Sequence, residues 1–151
     1  MWKSGVVKKG SSIKLKVKIK KLSDNAIVPK YTRSDDAGMD LTAISVNVTE
    51  AFVEYKTGIS IELPRGHVGL VFPRSSISKK DLSMSNSVAV FDVGYTGEYI
   101  IRFQKLGENI YKVGERIAQL IILPYPKVEF EEVENLSDSE RKSGAFGSSG
   151  N

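Results

Sequence analysis

The chain has 151 residues, 40% of them hydrophobic, enough for one domain with a sizeable core and too few for two comfortable ones. It has no cysteine and a single histidine, His67, so disulfide frameworks, thiolate zinc sites, cysteine nucleophiles and histidine metal cages are excluded. The net charge of +4 owes much to Lys14, Lys16, Lys18, Lys20 and Lys21, but these alternate with Leu15, Val17 and Ile19, as in a strand with one buried and one lysine-covered face.

No specific nucleic-acid partner is therefore expected. Gly10-Ser11-Ser12 stands where a signal peptide would need its apolar core, and no later run reaches the length of a membrane span. The expectation is a soluble, intracellular, cytoplasmic protein with no membrane partner. Residues 1–12 read as a flexible N-terminal extension.

In chain order, short β-rich runs separated by turn residues are predicted at 13–20, Ala43–Val48, Phe52–Glu54, Gly58–Glu62, His67–Phe72, Val88–Phe91, Tyr99–Leu106, Ile110–Val113, Arg116–Pro124 and Val128–Val133. Turns are expected at Leu63-Pro64-Arg65-Gly66, at Asp92 to Gly97 and at Lys112 to Glu115. Only Ser78–Ser83 suggests a helical turn. Many short strands at close spacing predict an all-β sandwich or closed barrel, with the double-sheet jelly roll a candidate. The β-domain is expected to span 1–134. From 135 to 151 glycine and serine dominate, and Leu136 and Phe146 are the only large apolar residues, as in a mobile arm able to close over a ligand.

Five segments are chemically loaded: Ala37-Gly38-Met39-Asp40-Leu41, Pro73-Arg74-Ser75-Ser76, Asn86 to Gly97, Gly114-Glu115-Arg116-Ile117-Ala118-Gln119-Leu120, and Arg141 to Gly150. Pro73-Arg74-Ser75-Ser76 follows an apolar strand and offers hydroxyls, backbone N–H groups and a guanidinium, the donors a triphosphate needs. The stretch Val88 to Gly97 reads as a β-hairpin whose glycines allow a sharp bend. Gln119 interrupts an apolar strand, and a buried amide there needs a partner.

In order and spacing these segments resemble the five signature segments of the trimeric dUTPase family, from Ala37 to Gly150. The resemblance implies a distorted jelly roll (β-clip), a homotrimer whose C-terminal arm closes a site on another subunit, and hydrolysis of dUTP to dUMP and pyrophosphate with Mg²⁺. It implies Asp92 as the general base on an in-line water. It places Arg74, Ser75, Ser76 and Gln119 on the phosphates, Asn86 and the hairpin residues Val90, Phe91 and Ile100 at the uracil, and Tyr95 under the deoxyribose. It gives Arg141 to the γ-phosphate, Phe146 to stacking on uracil, and Gly147 to further donors. Asp40 is implied as an outer-shell group of a metal held mainly by substrate phosphates.

The chain departs from the family pattern at Ala89, Phe91, Thr96, Lys142 and Ala145, the last two replacing arm glycines. Ala145 would be penalised if its position needed φ > 0. The related dCTP deaminases share an Arg-Ser-Ser loop, but their catalytic glutamate position, counted from Gly97, is Arg102 here, and Tyr95 stands where they carry tryptophan.

Overall fold

The computed structural model describes residues 14–145. The described chain forms two antiparallel sheets facing each other across one core. Its strands are β1 (Lys18–Lys21), β2 (Met39–Thr42), β3 (Ser45–Val48), β4 (Phe52–Glu62), β5 (His67–Pro73), β6 (Leu82–Met84), β7 (Ala89–Phe91), β8 (Glu98–Lys105) and β9 (Arg116–Pro124). A short 3-10 helix, Ser75–Lys79, follows β5. One sheet runs β1-β4-β8-β6 with β3 also on β4; the other runs β2-β9-β5-β7. This is the jelly-roll class of fold predicted above.

Period-two patterning explains the packing. In β8, Tyr99, Ile101 and Phe103 point into the core while Ile100, Arg102 and Gln104 face outward. In β9, Ile117, Ala118 and Leu120 are buried beneath the opposite sheet. Three rings close the centre: Tyr55 meets Phe103 edge-on at 5.7 Å and Tyr111 at 6.3 Å. Each buried ring contributes roughly 1.5–3 kcal/mol through area removed from water.

Several predicted elements differ. The two short strands expected at Phe52–Glu54 and Gly58–Glu62 are one strand, β4, whose register against β8 shifts between Lys56 and Ser60. Gly58 takes φ +68° within that irregularity, and a Cβ there would stand 2.5 Å from Ile44 Cδ1 and 2.9 Å from Ala26 Cβ. Gly58 is thus the hinge of a continuous bulged strand. The N-terminal strand begins only at Lys18, and all four residues of β1 are exposed; Ile13 lies outside the described residues. Ile110–Val113 and Val128–Val133 have β-favouring composition but no strand pairs with them. The helical turn falls at Ser75–Lys79 rather than Ser78–Ser83, where β6 begins instead. β2 and β6 lie where no strand was predicted.

The predicted hairpin is also corrected. β7 pairs with β5, whereas β8 pairs with β4 and β6, so the turn Asp92–Gly97 carries the chain from one sheet to the other. β7 is an edge strand, and Val90 is 60% exposed upon it.

Tyr99 is fully buried, its ring stacks on Phe91 at 3.7 Å, and its hydroxyl has no hydrogen-bond partner among the described residues. Burial pushes its phenol up to about 12, and burial does the same to Tyr55, also to about 12. In both cases the folded chain resists ionisation that the unfolded chain undergoes near pH 10. The resulting stability is complete below about pH 10 and is lost as pH rises toward about 12. Urea unfolding at stepped pH should show this loss, and Tyr99→Phe should reduce it. At neutral pH Tyr99→Phe should leave the unfolding midpoint unchanged or raised, because it removes an unpaired buried hydroxyl at constant ring volume.

Candidate active site

Asp40 leaves β2 toward a cleft of about 590 Å³ bordered by Thr32, Gly38, Arg74, Ser75, Arg116 and Gln119 among others. Its register places it opposite Gln119 of β9, and Gln119 in turn lies opposite Phe72 of β5. Three adjacent strands of one sheet therefore deliver the acid, the amide and, one turn beyond β5, the Arg74-Ser75-Ser76 corner to one place.

The Asp40 carboxylate accepts three hydrogen bonds. Oδ1 accepts from Arg74 Nε at 2.7 Å; Oδ2 accepts from Arg116 Nη1 at 3.1 Å and Thr32 Oγ1 at 3.1 Å. Its side chain is only 17% exposed and that of Arg74 24%, so solvent screens the pair less than an ordinary surface bridge. Two guanidiniums are thereby held side by side with N–H groups to spare. Ser76 Oγ lies 3.5 Å from Arg74 Nη1, Ser75 is exposed at the cleft, and Gln119 Nε2 donates to the Pro73 carbonyl at 3.0 Å, leaving its other amide hydrogen free. Gly38 leaves room for this amide, because a Cβ there would stand 2.5 Å from Gln119 Oε1 and the side chain would have to shift. The cleft is a donor-rich anion site.

Asp40 already accepts three hydrogen bonds, and no group of three or more candidate metal ligands occurs among the described residues. The residues fit a cation that arrives on the anion's own oxygens, with Asp40 acting beyond its first ligands.

The other predicted residues lie apart from this cleft. Asn86, Val90, Asp92, Tyr95 and Ile100 are exposed, Phe91 is half-buried, and none of them borders it. Asp92 opens the inter-sheet turn, its carbonyl accepting from Tyr95 N–H at 3.2 Å. Tyr95 is fixed in place: its hydroxyl donates to the Glu98 carbonyl at 2.9 Å, and its ring lies so close over Gly97 that a Cβ there would stand 2.7 Å from it. Phe91, stacked on Tyr99, flanks that ring at 5.6 Å. The bulk of Phe91 is thus matched by Tyr99 and by Gly69, where a Cβ would come within 3.3 Å of the Tyr99 hydroxyl.

In the arm, Arg141 is exposed and bonds its own turn, Nε donating to the Gly144 carbonyl at 2.8 Å. The left-handed position is Lys142 at φ +46°, not Ala145; the strain of a side chain in that region falls on the lysine. Phe146 and Gly147 lie outside the described residues. Sequence patterning did not single out Thr32, and it gave no role to Arg116 or Tyr111. Arg116 sits inside the Gly-Glu-Arg segment beside Gln119, but nothing in spacing announces its pairing with Asp40.

A family model described as dUTPase matches residues 24–150. The chain belongs to the dUTPase family. Among its relatives, deoxyuridine 5'-triphosphate nucleotidohydrolases of Gloeothece citriformis and Clostridioides difficile are each 42% identical, covering 90% and 89% of this chain and 97% of each relative. Among solved structures, the dUTPase of Staphylococcus bacteriophage 80alpha with dUPNHPP is similar at TM-score 0.77 and 30% identity, covering 89% of this chain and 98% of that one. Asp40, Arg74, Ser75, Arg116 and Gln119 therefore meet in one cleft of one chain, while the Asp92 turn stands elsewhere on the surface.

Asp40→Ala should leave Arg74 and Arg116 unneutralised and free to move apart. We expect a stability loss of about 1–3 kcal/mol by denaturant unfolding, with a larger proportional loss of triphosphate affinity. Unchanged affinity would show that the two guanidiniums hold their places without the acid.

Proposed function

We propose that the chain hydrolyses dUTP to dUMP and pyrophosphate. The observation that carries this, beyond family membership, is the cleft in which Asp40 fixes Arg74 and Arg116 beside Ser75 and Gln119, with Ser76 in the adjoining depression that shares both arginines. Preorganised donors of this kind stabilise charge on a phosphoanhydride without rearranging during the reaction. Asp92 holds a water in line with the α-phosphorus and takes its proton as the new P–O bond forms. The α–β anhydride bond breaks, and the bridging oxygen leaves with pyrophosphate. Mg²⁺, when bound through the phosphates, neutralises part of their charge.

Selection of the nucleoside falls to the turn and strands around Asp92. The free edge of β7 at Val90 and Phe91, the neighbouring backbone at Ile100, and Asn86 offer donors and acceptors to a pyrimidine edge. The fixed ring of Tyr95 lies under a deoxyribose and leaves a ribose 2′-hydroxyl without a partner. Arg141 pairs with the γ-phosphate, and Phe146 and Gly147 complete the closed site.

We further propose that three copies assemble, each site drawing on more than one of them. The separation of the Asp92 turn from the phosphate cleft supports this, as does the segment after β9, where Val128 and Phe130 are 67% and 93% exposed with no strand among the described residues to cover them. The compartment proposed is the cytoplasm.

Pyrophosphate release should be selective for dUTP over dTTP, UTP and dCTP and should stop with a chelator. Asp92→Ala should lower kcat by about 10²–10⁴-fold, the usual contribution of a general base. Retained turnover in the variant would remove Asp92 from that role. Sedimentation should give the mass of three chains.

A further inference from the structure

Tyr111 lies in the segment after β8 that β-propensity marks as a strand, and nothing above gives its side chain a function. It is 2% exposed and packs against Phe103 at 6.1 Å and Tyr55 at 6.3 Å, while Lys80 Nζ stands 5.0 Å from its ring centroid. Its backbone is pinned as well, because its carbonyl accepts from the Tyr55 hydroxyl at 2.8 Å. A residue held from so many sides has little freedom in where it puts its one polar side-chain atom. That atom lies 2.9 Å from Ser76 Oγ, its only hydrogen-bond partner among the described residues.

A serine hydroxyl has two acceptor lone pairs and one hydrogen. Arg74 Nη1, 3.5 Å from the same oxygen, can only donate to it. In the arrangement proposed here the phenol donates in the Tyr111–Ser76 pair. With both lone pairs of Ser76 engaged, its hydrogen is the one group left over, and it can be satisfied only by an acceptor outside this network. Donation into Ser76 Oγ also polarises that hydrogen toward a stronger outward bond. An anionic oxygen is the acceptor it best fits.

Resting on the proposed function, we propose that Tyr111 is a positioning residue: from the core, it orients the Ser76 hydroxyl as a donor to the triphosphate. Tyr111→Phe keeps the ring, its packing and the Lys80 contact, and removes only the phenolic oxygen. The variant should lower kcat/KM for dUTP about tenfold, the scale of a misdirected hydrogen bond to a charged group. The loss should lie in KM and in the Kd of the imido analogue dUpNHpp, with kcat little changed. Ser76→Ala should cost about the same, and adding Tyr111→Phe to it should cost nothing more.

The inference is overturned if Tyr111→Phe stays within about twofold of wild type, if Ser76→Ala is silent, or if the two losses multiply in the double variant. A silent Ser76→Ala overturns the inference even should Tyr111→Phe fail to fold, because Ser76 lies on a partly exposed 3-10 turn outside the core. Wild-type protein that neither hydrolyses dUTP nor binds dUpNHpp would sink the proposed function and this inference together. Turnover in the wild type with independent effects of the two substitutions would sink the inference alone.

Discussion

The Asp40 carboxylate is the constraint on which the phosphate cleft depends. Its two oxygens gather Arg74 from the corner after β5, Arg116 from the start of β9 and Thr32 from the loop before β2. Two guanidiniums at such close range repel each other, and without a carboxylate between them they would swing apart into solvent. Held by it, each keeps N–H groups aimed at the cleft. The charge balance matters equally: one acid against two guanidiniums leaves the site net positive, so an incoming anion gains more than the resident carboxylate takes away. Asp40 therefore spends three of its roughly four acceptor sites on ordering donors, which leaves little of it for a divalent ion and favours phosphate oxygens as the inner ligands.

The two-sheet architecture decides where everything else can be. β2, β9 and β5 lie side by side, so residues distant in sequence, Asp40, Gln119 and the Arg74 corner, reach one cleft without any long loop. β7 sits at the far edge of that same sheet, and the chain then crosses to β8 in the other sheet. The crossing turn bears Asp92 and Tyr95 at a corner of the molecule. A single copy thus separates the proposed base from the proposed phosphate donors, and this separation gives the proposed assembly a chemical purpose.

How much of this was legible in the sequence depends on how local the cause is. β5 and β9 were readable because each is an apolar run closed by turn residues, and β8 because Tyr99, Ile101 and Phe103 alternate with outward residues. β4 was divided at residues 55–57, just before Gly58, where the bulge interrupts the alternation that would have joined its two halves. β2 and β6 are three to four residues long, too short for any periodicity to register, and they exist because β9 and β8 offer them an edge. The converse applies to Val128–Val133, where β-propensity is present and a partner strand is missing. The site residues were named through the order of five segments, none of them informative alone. Thr32, Arg116 and Tyr111 carry equally specific contacts, but those contacts are long-range pairings that spacing along the chain does not encode.

Under the proposed function, the energetics of the arm divide recognition between its parts. Residues 135–145 touch little beyond themselves: nearly all are exposed, and the turn at Arg141 to Gly144 is closed by its own hydrogen bonds. Ordering each residue of such a segment costs roughly 1–2 kcal/mol, whereas stacking Phe146 on a base returns only about 1–3 kcal/mol in total. Stacking alone cannot close the arm. The difference has to come from charge-assisted bonds to phosphate, first among them those of Arg141, which must give up its bond to the Gly144 carbonyl to make them. A triphosphate supplies that partner and a monophosphate does not, so closure follows the presence of uncleaved substrate. The left-handed Lys142 works in the same direction, since strain in the open turn lowers the cost of leaving it. Once the anhydride is cut and pyrophosphate departs, the remaining contacts no longer cover the ordering cost, and the arm releases the nucleoside monophosphate.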